Sequence, residues 1–293
     1  MILVAGSTGL VGSEICAQLA EQKTPFRALV RADSAPEKVD KLKSLGAEIV
    51  VGDLKDPASL AAACAGVDNV ISTVSCTFSM RDGDNIETVD HQGQLNLVEA
   101  AKNAGVGRFV FISFFDNPDN TFPLSDAKRA VEEALANSGM AWSSLQANFF
   151  MEIWLSPALG FNYPENQARI YGDGDNKISF ISYKDVARLA IAALDKGFAE
   201  NCACEIGGPE PLSPKEVVSI FEKTFAKDFT VENLPKEALL GQKAAATNPM
   251  EASFAGLMVQ YANGFDVDMN GIMRHLGMGL TSVASYAAAV KTA

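Results

Sequence analysis

Residues 2–12 read Ile-Leu-Val-Ala-Gly-Ser-Thr-Gly-Leu-Val-Gly, and this stretch predicts how the fold begins. The four leading residues are apolar, with isoleucine and valine among them, which is typical of a buried strand. Gly6, Gly9 and Gly12 follow, and apolar side chains then recur at helical spacing. A strand that runs through closely spaced glycines into a helix predicts the first βα unit of a parallel sheet.

The same alternation of short apolar runs and helical segments continues to about residue 150. Strands are predicted at Ile2–Ala5, Phe26–Val30, Glu48–Val51, Asn69–Thr73, Arg108–Ser113 and Trp142–Gln146. Helices are predicted at Ser13–Glu21, Glu37–Leu45, Ala58–Ala63, Gly93–Asn103 and Ser125–Asn137. The pattern indicates an α/β protein built on a doubly wound, parallel-sheet Rossmann domain.

The glycine spacing has a chemical meaning in this setting. The first glycine permits a tight turn, the second permits close approach of a pyrophosphate, and the third permits close packing of helix on strand. The helix N-terminus then offers N–H groups and a partial positive charge to the phosphates. The loop predicted to bind a dinucleotide is Gly6, Ser7, Thr8, Gly9, Leu10, Val11 and Gly12. The alternative is a tight βα turn without a ligand.

Arg31 stands at the end of the second predicted strand, where sites for NAD usually place an acid against the adenosine ribose. A guanidinium suits a 2′-phosphate because it offers charged, bidentate donors. NADPH is therefore favoured over NADH. The neighbouring Asp33 and the alternative of a solvated surface arginine keep NADH open.

Two further segments end predicted strands on the same side of the sheet. Asp53 and Leu54 follow the third strand, where a carboxylate can accept from the adenine amino group. The alternative is that Asp53 caps the next helix, a role that Asp56 could also fill. Ligands bind beyond the carboxyl ends of such strands. The residues predicted to flank the adenosine and pyrophosphate after the fourth strand are Thr73, Val74 and Ser75.

The rhythm of the sequence changes near residue 150. Residues 162–176 are rich in proline, asparagine and glycine, and short strands and helices follow in mixed order. We therefore predict an NAD(P)-binding Rossmann domain over residues 1–152 and a smaller mixed α/β substrate lobe over residues 153–293. The second lobe can return a strand and a helix to the first domain.

These motifs resemble the NmrA-like family of atypical short-chain dehydrogenase/reductases, over about half of the chain. The matching residues are Gly6, Gly9, Gly12, Val30-Arg31, Gly52-Asp53-Leu54, Phe109-Val-Phe-Ile-Ser113, Lys128 and Asn148-Phe-Phe-Met-Glu152. The resemblance implies a fold shared by quinone, triphenylmethane-dye and plant phenylpropanoid reductases. It is also shared by redox-sensing regulators that bind NADP without turnover, so fold does not decide function.

The wider superfamily implies a Ser-Tyr-Lys arrangement in which the tyrosine, four residues before the lysine, gives or takes a proton. Ser113 and Lys128 match two of these positions, but Leu124 stands in place of the tyrosine. Leucine exchanges no proton, so alcohol or ketone chemistry by that route is disfavoured. Lys128 and Ser113 remain the predicted catalytic residues, and Lys128 is also expected to bind the nicotinamide ribose. The alternative for Lys128 is a solvated helix lysine.

The segment after the sixth predicted strand is polar at first and then aromatic. Asn148 and Phe149 are predicted to cover the nicotinamide. Phe150, Met151 and Trp154 are predicted to line an apolar pocket, which would suit a flat aromatic substrate. The alternative is that these side chains form a core between the two lobes.

The charge balance excludes some classes of partner. The 293 residues carry 24 Lys and Arg against 36 Asp and Glu, a net charge of −12, which argues against nucleic acid or an anionic membrane. Five scattered cysteines and two distant histidines predict neither a disulfide scaffold nor a metal site and favour a reducing, cytoplasmic compartment. No apolar run reaches the roughly 18 residues of a membrane helix. The sequence leaves open whether the protein forms a homodimer.

These features predict an NADPH-dependent oxidoreductase that reduces a small conjugated or aromatic acceptor, such as a quinone or an enone, by hydride transfer. Conjugation stabilises the product anion, so such an acceptor tolerates the missing tyrosine. The alternative is a non-catalytic protein that senses NADP(H). A sugar-nucleotide epimerase or dehydratase fits less well because those reactions depend on the tyrosine.

Overall fold

The first strand occupies the centre of the larger sheet, and all four of its side chains are buried. The computed structural model describes residues 1–77, 81–195 and 197–292. The strands in this part of the chain are β1 (Ile2–Ala5), β2 (Phe26–Val30), β3 (Glu48–Val51), β4 (Asn69–Ser72), β5 (Arg108–Phe114), β6 (Ala141–Ala147), β7 (Phe161–Asn162), β8 (Gln167–Tyr171), β9 (Cys202–Ile206) and β10 (Thr230–Leu234). The larger sheet has the order β3-β2-β1-β4-β5-β6-β9, and the smaller sheet has the order β10-β8-β7.

Strand pairing confirms the doubly wound α/β fold. β1 pairs in parallel with β2 on one side and with β4 on the other. The pairs β2–β3 and β4–β5 are parallel as well. The chain therefore builds outward from β1 to β3, returns, and builds outward again from β4. The reversal between β1 and β4 opens a crevice at the carboxyl ends of these strands, where such folds bind ligands.

Helices connect the strands of the larger sheet, and further helices make up much of the later part of the chain. They are α1 (Leu10–Glu21), α2 (Pro36–Ser44), α3 (Pro57–Cys64), α4 (Gln92–Asn103), α5 (Pro123–Ala136), α6 (Met151–Trp154), α7 (Tyr183–Ala192), α8 (Pro214–Phe225), α9 (Lys236–Ala245), α10 (Pro249–Asn263), α11 (Asn270–Leu276) and α12 (Val283–Thr292). A π-helical segment, Ile86–His91, leads directly into α4.

The predicted bounds of β1, β2 and β3 match the structure. Those of β4 and β5 differ by one residue at the C-terminal end, and those of β6 differ by one residue at each end. Helix α1 begins at Leu10, three residues before the prediction, because Gly9 has the extended conformation of an N-cap residue. Apolar periodicity does not mark this start, since the first turn of α1 contains both exposed and buried positions. The π-helical segment was not predicted, because an added residue per turn breaks the periodic pattern from which helices are inferred.

Contacts between residues divide the chain into two units. The first consists of Met1–Phe114, Pro123–Gln146 and Val186–Cys204, and the second consists of Phe115–Phe122, Ala147–Asp185 and Glu205–Ala293. The core of the first unit is apolar. It includes Leu3, Leu60, Val70, Leu97, Phe109, Phe111 and Val131.

The second unit contains the smaller sheet and most of the aromatic side chains. In this sheet β8 pairs in parallel with β10 and antiparallel with β7. The rings of Phe161 and Phe221 lie 4.7 Å apart, which fastens α8 to the sheet. Helix α8 begins with a reciprocal cap between Ser213 and Glu216. This cap is typical of a serine followed three residues later by glutamate.

Within the described ranges, every helix is too short or too polar to cross a membrane.

Candidate dinucleotide site

The loop between β1 and α1 needs glycine at its first position. Gly6 has φ +81, a backbone conformation that side chains rarely tolerate. A Cβ at Gly6 would also lie 2.5 Å from Thr73 Oγ1, on the neighbouring strand end. The Gly6 carbonyl accepts a hydrogen bond from Gly9 N at 2.9 Å, which closes the turn.

The other two glycines have different functions in the loop. A Cβ at Gly12 would lie 2.1 Å from Gly6 O, so α1 can pack this close to the loop only without a side chain there. At Gly9 a Cβ would approach Gly6 O at 3.2 Å, and φ is −84, an ordinary value. Gly9 is exposed. Glycine at this position therefore keeps the surface in front of α1 open.

The N-terminus of α1 faces this open surface. Gly9 has no side chain that could cap the helix, and the first turn contains no acidic residue. The first N–H groups of a helix have no partner inside it and carry partial positive charge. The start of α1 is therefore suited to receive a phosphate group.

A cavity of about 160 Å³ lies beside this loop in the first unit. The predicted residues that line it are Gly6, Thr8, Gly9, Arg31, Asp53, Leu54, Thr73, Val74 and Ser75. They come from the carboxyl ends of β1, β2, β3 and β4, as the strand order requires. The structure thus brings most of the predicted nucleotide residues of the first unit to one crevice.

Four residues of the predicted loop do not contribute a side chain to the lining of this cavity. Ser7 is buried, and its Oγ donates to Leu29 O at 2.7 Å, which fixes the loop to β2. Val11 is buried in the core, Leu10 is 41% exposed, and Gly12 packs on Gly6. Only the backbone of these residues is available to a ligand in the crevice.

A larger cavity of about 510 Å³ adjoins the end of β2 and shares Arg31, Asp53 and Asp84 with the first. Its charged lining consists of Arg31, Lys55 and Arg81 together with Asp33, Asp53, Asp56, Asp82 and Asp84. Carboxylates outnumber cations in this lining. Affinity for a phosphate here must therefore come from the cations that face it directly and not from net charge.

Asp84 joins two of these cations. Its side chain is 1% exposed, and its two oxygens accept from Arg31 Nη1 and Lys55 Nζ, each at 2.6 Å. The third cation, Arg81, is paired with Asp33. Because both oxygens of one carboxylate are used, the heads of Arg31 and Lys55 are held side by side, as two oxygens of a phosphate would also require.

The sequence analysis did not identify Lys55, Arg81 or Asp84. The sequence position of Lys55 could have identified it, since it directly follows the Asp53-Leu54 pair at the end of β3. Arg81 and Asp84 lie in an irregular connection after β4, which no periodic pattern could place near Arg31.

Asp53 does not cap the following helix. Asp56 does so, because its Oδ1 accepts from Ala58 N at 3.1 Å. The Asp53 carboxylate instead accepts from Lys55 N at 2.8 Å and stays about one-third exposed beside the cavity.

Lys128 lies on α5 with its side chain 7% exposed. Its Nζ is 3.4 Å from Ile112 O, 3.8 Å from Asp90 Oδ1 and 4.7 Å from the centre of the Phe111 ring. Burial lowers the pKa of the ammonium, whereas Asp90 and, less strongly, Glu132 raise it. The lysine is enclosed between α5, β5 and the π-helical segment, and the alternative of a solvated helix lysine does not describe it.

Ser113 and Leu124 occupy the other two positions of the Ser-Tyr-Lys pattern. Leu124 lies four residues before Lys128 in the chain, and Ser113 lies on β5, which contacts α5. Ser113 Oγ accepts from Arg129 Nη2 at 3.0 Å. The same guanidinium donates to Phe114 O at 2.6 Å and to Glu132 at 3.1 Å. Leu124 is buried, with 7% of its surface exposed. An apolar side chain therefore occupies the position of the tyrosine.

The residues predicted to cover the nicotinamide lie in the second unit. Asn148 is buried, donates to Phe265 O at 2.6 Å and accepts from Phe149 N at 2.8 Å. Phe149 is 1% exposed. Its ring lies 5.6 Å from Phe115 and 4.6 Å from Trp154. Their contribution to a nicotinamide site remains a prediction.

The three predicted pocket residues differ in burial. Met151 is fully buried, whereas Phe150 and Trp154 are half-buried. Trp154 stacks on Tyr261 with ring centres 5.2 Å apart. The rings that contact Trp154 belong to Phe149, Tyr171 and Tyr261, and all three are buried. Whether this aromatic cluster binds substrate remains a prediction.

Comparison with known proteins identifies the family of the chain. The sequence model of the NmrA-like family matches residues 1–274. The chain is 36% identical over 222 residues to the NAD(P)H azoreductase of Xenophilus azovorans, which covers 75% of this chain and 72% of that protein. It is 33% identical over 287 residues to the isoflavone reductase homolog IRL of Zea mays, which covers 91% of this chain and 89% of the relative.

Solved structures share the fold at lower identity. The NADPH complex of the quinone oxidoreductase QOR2 of Escherichia coli has a TM-score of 0.80 and 22% identity, and the match covers 99% of this chain and 100% of that one. The NADP(H) complex of Citrobacter sp. triphenylmethane reductase has a TM-score of 0.78 and 21% identity, with 99% of each chain covered.

The loop geometry predicts that Gly9→Val abolishes dinucleotide binding and leaves the protein folded. The backbone at Gly9 accepts a side chain, which would then block the N-terminus of α1. Calorimetric titration and circular dichroism measure the two properties. Gly241→Val is the matched control, because Gly241 is exposed on α9 and a Cβ there meets open space. Retained affinity in a folded Gly9→Val protein would contradict the assignment.

Proposed function

The chain belongs to the NmrA-like family, and we propose that it is an NADPH-dependent reductase that transfers hydride to a small conjugated or aromatic acceptor, such as a quinone or an enone. The observation that carries the proposal is the crevice at the ends of β1 to β4. It joins the loop before α1 to Arg31, which Asp84 holds beside Lys55 in the adjoining cavity.

NADPH is the cofactor in this proposal. The phosphate loop and the start of α1 would hold the pyrophosphate, and Arg31 with Lys55 would hold the 2′-phosphate. The structural neighbours include complexes with NADPH and NADP(H), which supports this choice. The fit is physical as well, since both cations lie one-third exposed at the mouth of the larger cavity.

The acceptor class follows from two considerations. The relatives include an NAD(P)H azoreductase, an isoflavone reductase homolog and a phenylcoumaran benzylic ether reductase, and these names support an aromatic acceptor. Aromatic side chains near Trp154 in the second unit could provide matching apolar surface.

The residues of this chain constrain the mechanism. The bound dihydronicotinamide supplies the hydride. Leu124 cannot supply a proton, so an acceptor whose charge spreads over a conjugated system is favoured. The Lys128 ammonium is the proposed electrostatic group beside the developing negative charge. Ser113 is the proposed polar contact, although its hydroxyl also accepts from Arg129.

A second candidate is a protein that senses NADP(H) without turnover. It is supported by the apolar Leu124 in place of a proton donor and by the enclosure of Lys128. This candidate shares the crevice and differs only in chemistry, so the two are separated by a turnover measurement.

Turnover is the direct test. The purified protein is expected to oxidise NADPH in the presence of at least one quinone, enone or azo compound from a small panel, measured as loss of absorbance of the reduced nicotinamide. Gly9→Val provides the background rate. Measurable NADPH affinity without oxidation by any acceptor would favour the sensor.

Cofactor selection tests the 2′-phosphate contacts. Arg31→Ala and Lys55→Met are each expected to weaken NADPH by about 10- to 100-fold and to change NADH little, because each removes one charge-assisted contact to the extra phosphate. Lys43→Met is the matched control, since Lys43 is an exposed lysine paired with Asp40 on α2. Equal losses for NADPH and NADH would contradict the assignment. Competitive titrations of both cofactors measure the effect.

Lys128→Met tests the electrostatic contribution of the ammonium. Methionine keeps the apolar contact with Phe111 and removes the charge, so kcat should fall by about 100-fold or more. NADPH affinity and the melting temperature show whether the site stays intact. A kcat equal to that of the wild type would exclude Lys128 from the reaction.

A further inference from the structure

The π-helical segment Ile86–His91 holds a carboxylate that the proposed mechanism has not used. Its Asp90 side chain is fully buried. The segment begins with a reciprocal cap between Asn85 and Thr88, which fixes the residue at which the segment starts. Single π-helical turns within helices are rare, and they occur frequently at functional sites. This segment places a buried charge between two other elements of the first unit.

Asp90 connects the loop after β4 with α5. Its Oδ2 accepts from Cys76 N at 2.9 Å. Its Oδ1 lies 3.8 Å from Lys128 Nζ and has no hydrogen-bond partner among the described residues. Cys76 in turn lines the nucleotide cavity together with Thr73, Val74 and Ser75. One carboxylate thus contacts both the cavity wall and the enclosed lysine.

The other charged groups near Lys128 have further contacts. Glu132 accepts from Ser144 Oγ at 2.6 Å and from Gln146 Nε2 at 3.2 Å. It also accepts from Arg129 at 3.1 Å, and Arg129 opposes the lysine charge. The thiol of Cys76 is held neutral, since burial and the neighbouring Asp90 both raise its pKa. Asp90 is therefore the main counter-charge of Lys128.

This pair is not arranged for stability. Two buried charges lose solvation, and the loss is recovered only with good geometry and satisfied hydrogen bonds. A separation of 3.8 Å is too long for a hydrogen bond, and one carboxylate oxygen stays unsatisfied. Such unsatisfied buried groups are uncommon and call for an explanation, and a role in the reaction provides one.

We propose that Asp90 is the positioning residue of the reductase: its carboxylate holds the Lys128 ammonium in place relative to the nucleotide cavity, whose wall it contacts through Cys76 N. The inference rests on the proposed function. When hydride adds to the acceptor, its oxygen or nitrogen gains the electron pair of the broken π bond. The Lys128 ammonium stabilises the negative charge on that atom, and a proton from water then neutralises the product anion.

Two substitutions separate the charge of Asp90 from its hydrogen bond. Asp90→Asn keeps an oxygen that accepts from Cys76 N and removes the charge. Asp90→Ala removes both. Asp185→Asn is the matched control, because Asp185 is also a buried carboxylate that accepts from a backbone N–H, that of Thr281, but lies in the second unit. Melting temperatures verify that each variant is folded.

The titration of Lys128 measures the effect of the Asp90 charge. Selective ¹³C labelling of lysine side chains and a Lys128→Met reference identify its NMR signal. Asp90 raises the Lys128 pKa, so Asp90→Asn should lower that pKa. The alkaline limb of the kcat profile should move to lower pH by the same amount. Asp185→Asn should leave both unchanged.

NADPH affinity tests the hydrogen bond between Cys76 N and Asp90. Asp90→Ala should weaken NADPH by about tenfold because Cys76 N loses its acceptor, whereas Asp90→Asn should bind it normally. Equal Lys128 titrations in the wild type and Asp90→Asn would overturn the proposal, whatever the turnover. Absence of turnover in the wild type would instead count against the proposed function, and the NMR titration would still decide on Asp90.

Discussion

The close approach of helix α1 to the loop that precedes it is the constraint on which the rest of the first unit depends. Gly12 packs against the carbonyl of Gly6, and Gly6 packs against Thr73 at the end of β4. Neither contact leaves room for a Cβ. As a consequence β1, the loop, α1 and β4 meet at one point, and the crevice opens where the strand order reverses.

The charges beside this crevice show why residue type alone does not define a phosphate site. Arg31 is held by Asp84, which also binds Lys55. A buried carboxylate reduces the net positive charge but orders two long side chains that would otherwise lose conformational freedom on binding. In the proposed NADPH site, selectivity for the 2′-phosphate would then depend on pre-arranged donors, within a protein whose overall charge is −12.

The replacement of the tyrosine by Leu124 changes what the remaining polar groups can do. Lys128 is enclosed and has Asp90 as its main counter-charge. Ser113 accepts from Arg129, which links it to Glu132 and Ser144. A site of this kind can orient a cofactor and stabilise negative charge, but Leu124 exchanges no proton with the acceptor. This limitation agrees with acceptors that stabilise their own anion by conjugation.

Local patterns in the sequence were sufficient to predict β1 to β6 of the larger sheet. The apolar run of β1, the three glycines and the alternation up to residue 150 predicted the doubly wound sheet, because each depends on neighbours along the chain. The sequence also named Gly6, Gly9, Arg31 and Asp53, since they follow strands whose ends meet at one edge.

The tertiary structure alone decided the partners of these residues. Asp84, Lys55 and Asp90 reach their positions through irregular connections and a π-helical turn, which have no periodic signature. The sequence left Lys128 either solvated or functional, and only the packing of α5 on β5 and on the π-helical segment enclosed it. Burial and pairing depend on residues distant in the chain, so the charge state of a side chain becomes defined only when the fold is complete.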